Sequence, residues 1–122
     1  FDVKRRANDS PGLLVATNHF ADPSWGLVIQ PDTGFKSELR RSNLLALAES
    51  RKGKLDAAAM MEAMDTTIDS GGSAWPEHDD IRTVYQVVAV PEQRIIHVKV
   101  QGFQNWTCID LKGLFSQKPS LP

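Results

Sequence analysis

The sequence of 122 residues contains a single cysteine, Cys108. An internal disulfide needs two cysteines, so a secreted scaffold held together by disulfide bonds is excluded. A lone thiol favours a reducing compartment, and we predict a cytoplasmic location. The three histidines, His19, His78 and His97, fall in separate segments without the spacing of metal ligands. No metal site and no cofactor is predicted.

Long apolar runs and an excess of charge of one sign are also missing. No stretch approaches the roughly 18 apolar residues that cross a bilayer, and the start lacks the apolar core of a signal peptide. The 14 Lys and Arg residues against 15 Asp and Glu residues give a net charge of -1. Such a balance provides no field that attracts nucleic acid or an anionic membrane. We therefore predict no membrane span and no nucleic-acid partner.

The composition that remains is that of a globular chain, with 41% hydrophobic and 24% charged residues. A chain of this length can bury a core without disulfide or metal support. Its first residues, Phe1-Asp2-Val3, read like the middle of a domain. We therefore expect the chain to be a piece of a longer polypeptide, either one trimmed of a disordered terminus or an excised or processed C-terminal portion.

A short strand and a pair of helices are predicted in the first half of the chain. An apolar run after a Pro-Gly turn predicts a buried strand over 13–20. Leucine and alanine stripes predict two helices over 37–67. Ser37 and Asp56 are the predicted caps, and Gly53 is the predicted joint.

Three strands are predicted over 83–111, because β-branched residues alternate with turn signals there. Apolar residues fall on both faces of the hairpin over 83–100, which indicates a sheet covered on both sides. The segment over 68–80 has no hydrophobic period and is interpreted as an exposed loop, with a lid as the alternative. These patterns predict an α+β or a layered α/β fold.

Asn18 and two arginines are the candidate functional residues. Asn18 follows the predicted strand, where a neutral amide can donate a hydrogen bond into a cleft, as in an oxyanion hole. The alternative is a turn-forming Asn that bonds its own backbone. Arg40 and Arg41 fall in the first helical turn, where a cation opposes the helix dipole. We expect a partner to hold at least one of them, and the alternative is a solvated helix face.

Cys108 is the other residue with reactive chemistry. It falls in a predicted strand, without a helix terminus or a basic neighbour that would lower the thiol pKa. We interpret it as a small buried core residue rather than as a nucleophile.

Three local motifs resemble a known family when taken in order. They are Thr17-Asn18-His19-Phe20 at a strand end, Ser37-Glu38-Leu39-Arg40-Arg41 at the start of a helix, and Arg82-Thr83-Val84-Tyr85-Gln86 before the hairpin and the strand over 106–111. Together they resemble the cysteine N-terminal-nucleophile hydrolases, which include choloylglycine hydrolase, penicillin V acylase, isopenicillin N acyltransferase and the acid ceramidase branch. The matches extend over residues 10–115.

The resemblance implies an αββα sandwich, of which this chain would be the C-terminal part. It also implies that Asn18 supplies an oxyanion-hole amide and that Arg40 stabilises charge near the nucleophile or the acyl carbonyl, with Arg41 the less suited of the two arginines. His19, Phe20 and Trp25 are expected at the substrate. The apolar residues after Trp25 would either line an acyl pocket or belong to the core.

The resemblance further implies a linear amide hydrolase or acyltransferase whose nucleophile is an N-terminal cysteine exposed by autoproteolysis. This chain has no such cysteine, and Cys108 lies at the wrong end. The expected partners are an upstream segment of the same precursor that carries the cysteine and a small-molecule N-acyl amide substrate. Homo-oligomerisation stays open. Alone, the chain is expected to be inactive, and the alternative is a non-catalytic relative or interaction module.

Overall fold

The computed structural model describes residues 7–18, 35–76 and 80–116. Its helices are α1 (Ser37–Ser50), α2 (Ala57–Asp65) and α3 (Lys112–Ser116), and its strands are β1 (Tyr85–Val90), β2 (Ile95–Val100) and β3 (Gln104–Asp110). Short 3-10 turns cover Ile68–Ser70 and Pro91–Gln93. Helices and a small antiparallel sheet together confirm an α+β fold. None of the helices in these ranges is long and apolar enough to span a membrane.

Local contacts fix the ends of the two main helices. Asp56 caps α2 by accepting a hydrogen bond from a backbone amide in the first turn, at 2.8 Å. Arg51, just after α1, donates to both carboxylate oxygens of Glu62 in α2, each at 3.0 Å. Ser37 is a buried first helical residue rather than the cap, since the N-cap is Lys36 in the left-handed region. The cap predicted at Ser37 is therefore wrong by one residue.

The segment before α1 has no regular strand. Leu13 forms only an isolated bridge with Ser10, and residues 14–17 carry no secondary structure. The strand predicted over 13–20 is therefore absent from residues 13–18, because none of the described strands lies beside this segment to complete a ladder. Residues 19 and 20 lie outside the described ranges. Val15 is nevertheless buried, which explains the apolar character of the run.

The three strands form an antiparallel sheet in the order β1-β2-β3. Helix α2 packs against β1 on one face of this sheet, and Gln86 and Val88 of β1 are buried there. The Gln86 side chain donates a hydrogen bond to the backbone carbonyl of Met64 near the end of α2. The buried amide thereby fixes the register between the helix and the sheet.

The face of the sheet that points away from α2 is named the open sheet face. The register places the following uncharged residues on it: Tyr85, Val87, Ala89, Ile96, Val98, Val100, Thr107 and Ile109. Tyr85 is 68% exposed and Val87 is 43% exposed. The sequence predicts a sheet covered on both sides, but among the described residues only the face toward α2 is covered.

Cys108 lies in β3, opposite His97 of β2. Cys108 is exposed, so the prediction that it is a buried core residue is wrong. The reason is its position in the sheet: β3 is the edge strand farthest from β1, and β1 is the strand on which α2 packs.

The segment that follows α2 is a packed turn rather than an exposed loop. Ile68 is 3% exposed, and Gly72 is buried. Asn43 of α1 donates hydrogen bonds to the backbone carbonyls of Ile68 at 3.2 Å and Gly72 at 2.9 Å. The exposed loop predicted over 68–80 is therefore wrong for 68–76, because the carbonyls of the turn bond to a side chain of α1. Residues 77–79 lie outside the described ranges.

Candidate functional site

Asn18 and Arg40 lie together, although 22 positions separate them in the chain. Nη2 of Arg40 donates a hydrogen bond to Oδ1 of Asn18, and Nε of Arg40 donates to the backbone carbonyl of Phe35 at 2.9 Å. Arg40 projects from the start of α1, and Asn18 belongs to the described segment over 7–18. The two candidate residues of the sequence therefore share one site.

The contact with Arg40 decides which atoms of Asn18 are available for chemistry. An Asn side chain has an acceptor oxygen and an NH2 group with two donors. Because Oδ1 accepts from the guanidinium, the Nδ2 group is the donor end and is turned away from the arginine. Asn18 is exposed as a residue. Its Oδ1 bonds Arg40, whereas the turn-forming alternative would direct the side chain to its own backbone.

The hydrogen bonds of Arg40 also fix the guanidinium. The group is planar with its donors in a rigid fork, and bonds through Nε and Nη2 hold that plane in place. The positive charge thereby lies beside the Asn18 amide. A neutral N–H donor next to a fixed cation is a suitable arrangement for stabilising an oxyanion or a thiolate.

Arg41 reaches the opposite end of the same segment. Its Nη2 forms an ion pair with Asp9, whose side chain is 11% exposed. The second carboxylate oxygen of Asp9 accepts a hydrogen bond from the backbone amide of Val15 at 2.8 Å. The expectation that a partner holds at least one arginine is confirmed for both Arg40 and Arg41, and the alternative of a solvated helix face is wrong.

Other predicted site residues cannot be placed. His19, Phe20 and Trp25, the expected substrate contacts, lie outside the described residues, and so do the apolar residues that follow Trp25. The role of Asp9 is not predicted by the sequence. The signal that could have revealed it is the adjacent pair of arginines near a helix start, since each cation there requires its own partner.

A separate cleft of about 650 Å³ lies between the turn at residues 10–13 and the end of α1. Neither Asn18 nor Arg40 lines it. Glu49 lines this cleft, and its carboxyl pKa is lowered by a hydrogen bond from the Ser10 side chain and by the charge of Lys52. Across residues 7–18, 35–76 and 80–116, no cluster of three or more His, Cys, Asp or Glu side chains is placed to hold a metal ion.

Comparison with known proteins does not add a family. No protein-family model matches the chain, and no curated protein and no solved structure matches it either. Any functional assignment therefore depends on the residues and their geometry.

Proposed function

We propose that the chain is the C-terminal portion of a linear amide hydrolase or acyltransferase that acts through an N-terminal cysteine located upstream in the same precursor. The observation that carries the proposal is the hydrogen bond between Arg40 and Asn18. Two short motifs that are far apart in the sequence meet at one site. Their side chains provide a neutral donor and a fixed positive charge, which amide cleavage by a thiolate requires.

The proposed reaction has two steps. The cysteine thiolate attacks the carbonyl carbon of the N-acyl amide, and Nδ2 of Asn18 donates a hydrogen bond to the resulting oxyanion. The C–N bond then breaks, and the amine leaves with the proton held by the α-amino group of the cysteine. Water or a second amine attacks the thioester, which releases an acid or a new amide. Arg40 stabilises negative charge in both steps.

The open sheet face supports the idea that further polypeptide completes this fold. Its eight positions carry no charge, and large contiguous apolar patches on a protein surface mark interaction sites. Among the described residues no large side chain is fully buried. Both observations favour a second layer of protein on this face, as an αββα sandwich would have.

The nucleophile is tested directly in the complete polypeptide. Intact mass spectrometry with N-terminal sequencing is expected to find an upstream chain, or a processed chain, that begins with cysteine. Incubation with N-acyl amides of increasing acyl length is expected to add one acyl group to that cysteine, and prior alkylation of the thiol is expected to abolish the adduct. Addition of an amine then separates the two activities, since only an acyltransferase converts the adduct into a new amide.

The second candidate function is that of a non-catalytic relative or interaction module, which the open sheet face also favours. This candidate would have no reactive N-terminal cysteine. An upstream segment without a cysteine after a cleavable bond, together with no acyl adduct, would establish it and contradict the enzymatic proposal.

Substitution of Val87 by Lys tests whether a second layer of protein packs on the open sheet face. In the complete protein we expect this variant to lower the free energy of unfolding by about 3 kcal/mol, because a lysine would be buried between two layers. Val84→Lys is the control, since Val84 precedes β1 and lies outside the open sheet face; its effect is expected within about 0.5 kcal/mol. Urea unfolding measures both, and equal effects would contradict a covered face.

A further inference from the structure

The carboxylate of Asp9 connects the segment before Asn18 to helix α1. One oxygen pairs with Nη2 of Arg41, and the other accepts from the backbone amide of Val15 at 2.8 Å. Asp9 and Arg41 are 32 positions apart in the chain. A nearly buried carboxylate that bonds both a cation and a backbone amide holds its two partners at a fixed spacing.

The partners of Asp9 are close neighbours of the candidate site on both sides. Arg41 follows Arg40 directly in α1, and Val15 lies three positions before Asn18. The spacing that Asp9 sets between α1 and the backbone at Val15 therefore also sets the spacing between Arg40 and Asn18. Val15 itself is buried, which limits the freedom of the chain between it and Asn18.

The burial of Arg41 is a second reason why its ion pair with Asp9 is important for the position of α1. Its side chain is 23% exposed, and its Nε is a buried atom without a hydrogen-bond partner. A largely buried cation that loses its counter-charge is destabilised and moves toward solvent. Loss of the Asp9 charge would thus displace Arg41 and, with it, the start of α1.

We propose that Asp9 is a positioning residue, which acts through Arg41 and the Val15 backbone to orient the Asn18 amide beside Arg40. The expected effect of Asp9 on turnover rests on the proposed amide-cleaving function. The expected effect of Asp9 on the geometry of Asn18 does not rest on it. A displacement on the order of 1 Å at a catalytic donor can reduce turnover by about 100-fold, so a carboxylate that does not touch the substrate can still control the rate.

The test uses Asp9→Asn in the complete protein, because this substitution keeps the shape and removes the charge. We expect the side-chain amide signal of Asn18 to shift in the NMR spectrum of protein labelled at asparagine, and we assign that signal by its loss in Asn18→Ala. We also expect kcat to fall by about 10- to 100-fold with little change in KM. Asp56→Asn is the matched control, since Asp56 also accepts from a backbone amide but caps α2 instead.

Arg41→Lys provides a second variant if Asp9→Asn reduces the folded fraction, because lysine keeps the charge but lacks the guanidinium fork. In the double variant Asp9→Asn, Arg41→Lys the losses are expected to be non-additive relative to the two single variants, since the two residues act as one pair. An Asn18 signal that stays unchanged in Asp9→Asn and in Arg41→Lys would overturn the proposal whatever happens to kcat. An Asn18 signal that shifts in a protein without amide-cleaving activity would support positioning and overturn only the proposed function.

Discussion

Replacement of Asn18 by Ala in the complete protein is expected to lower kcat by about 100-fold or more, since removal of one oxyanion-hole donor has an effect of this size. KM should change much less, because the donor acts mainly on the charge that develops in the transition state. The measurement is steady-state hydrolysis of the acyl amide that gives the strongest adduct. Asn105→Ala is the control, since Asn105 is also an exposed asparagine but lies at the start of β3.

Asn18→Asp separates the donor role of Asn18 from its structural role. Aspartate keeps an oxygen that can accept from Arg40, but an ionised carboxylate has no N–H to donate. We expect kcat to fall at least as far as in Asn18→Ala, while the thermal midpoint stays near that of the unaltered protein. Turnover that survives in both variants would remove Asn18 from the chemistry and leave it as a structural partner of Arg40.

Gly72→Ala is expected to lower the free energy of unfolding by about 3 kcal/mol. A Cβ at position 72 would overlap the backbone carbonyl of Thr66, and backbone atoms cannot move aside as the end of a flexible side chain can. The same turn is fixed to α1 through Asn43, which donates to the carbonyls of Ile68 and Gly72. Strain at residue 72 therefore reaches the helix that carries Arg40.

Gly113→Ala is the matched control for this stability measurement. Nothing lies within 4 Å of a Cβ built at Gly113, and alanine stabilises a helix more than glycine does. We expect its unfolding free energy in urea to equal or slightly exceed that of the unaltered protein. A Gly72→Ala variant within about 0.5 kcal/mol of the control would contradict the close approach to Thr66.

Local signals in the sequence were sufficient for α1, α2 and the three strands, whereas the short helix α3 was not predicted. The cap at Asp56 and the turn that begins at Pro91 are encoded within a few neighbouring residues, so reading them requires no knowledge of the rest of the fold. The same holds for the strands, whose β-branched residues alternate with turn residues. The α+β class follows from these elements alone.

Features that depend on distant contacts could not be predicted in the same way. An apolar run such as 13–16 is compatible with a strand, but a strand also needs a neighbour, which composition does not reveal. The turn at Ile68 is bonded to Asn43 in another element, and the exposure of Cys108 depends on which strand α2 covers. The pairing of Arg41 with Asp9 likewise became visible only when the two elements were placed in space.

The contacts of the candidate site, like those between α2 and the sheet, close much longer stretches of chain than the pairings within the sheet do. Each strand pairs with its neighbour along the chain, and the two main helices follow each other. Such local pairings form early in folding, whereas contacts that close long loops form more slowly. The Arg40 and Arg41 contacts close 22 and 32 residues. The bond between Arg40 and Asn18 is also exposed, and exposed hydrogen bonds outside the sheet and helices open more easily than the core. On heating, activity is therefore expected to be lost at a lower temperature than secondary structure.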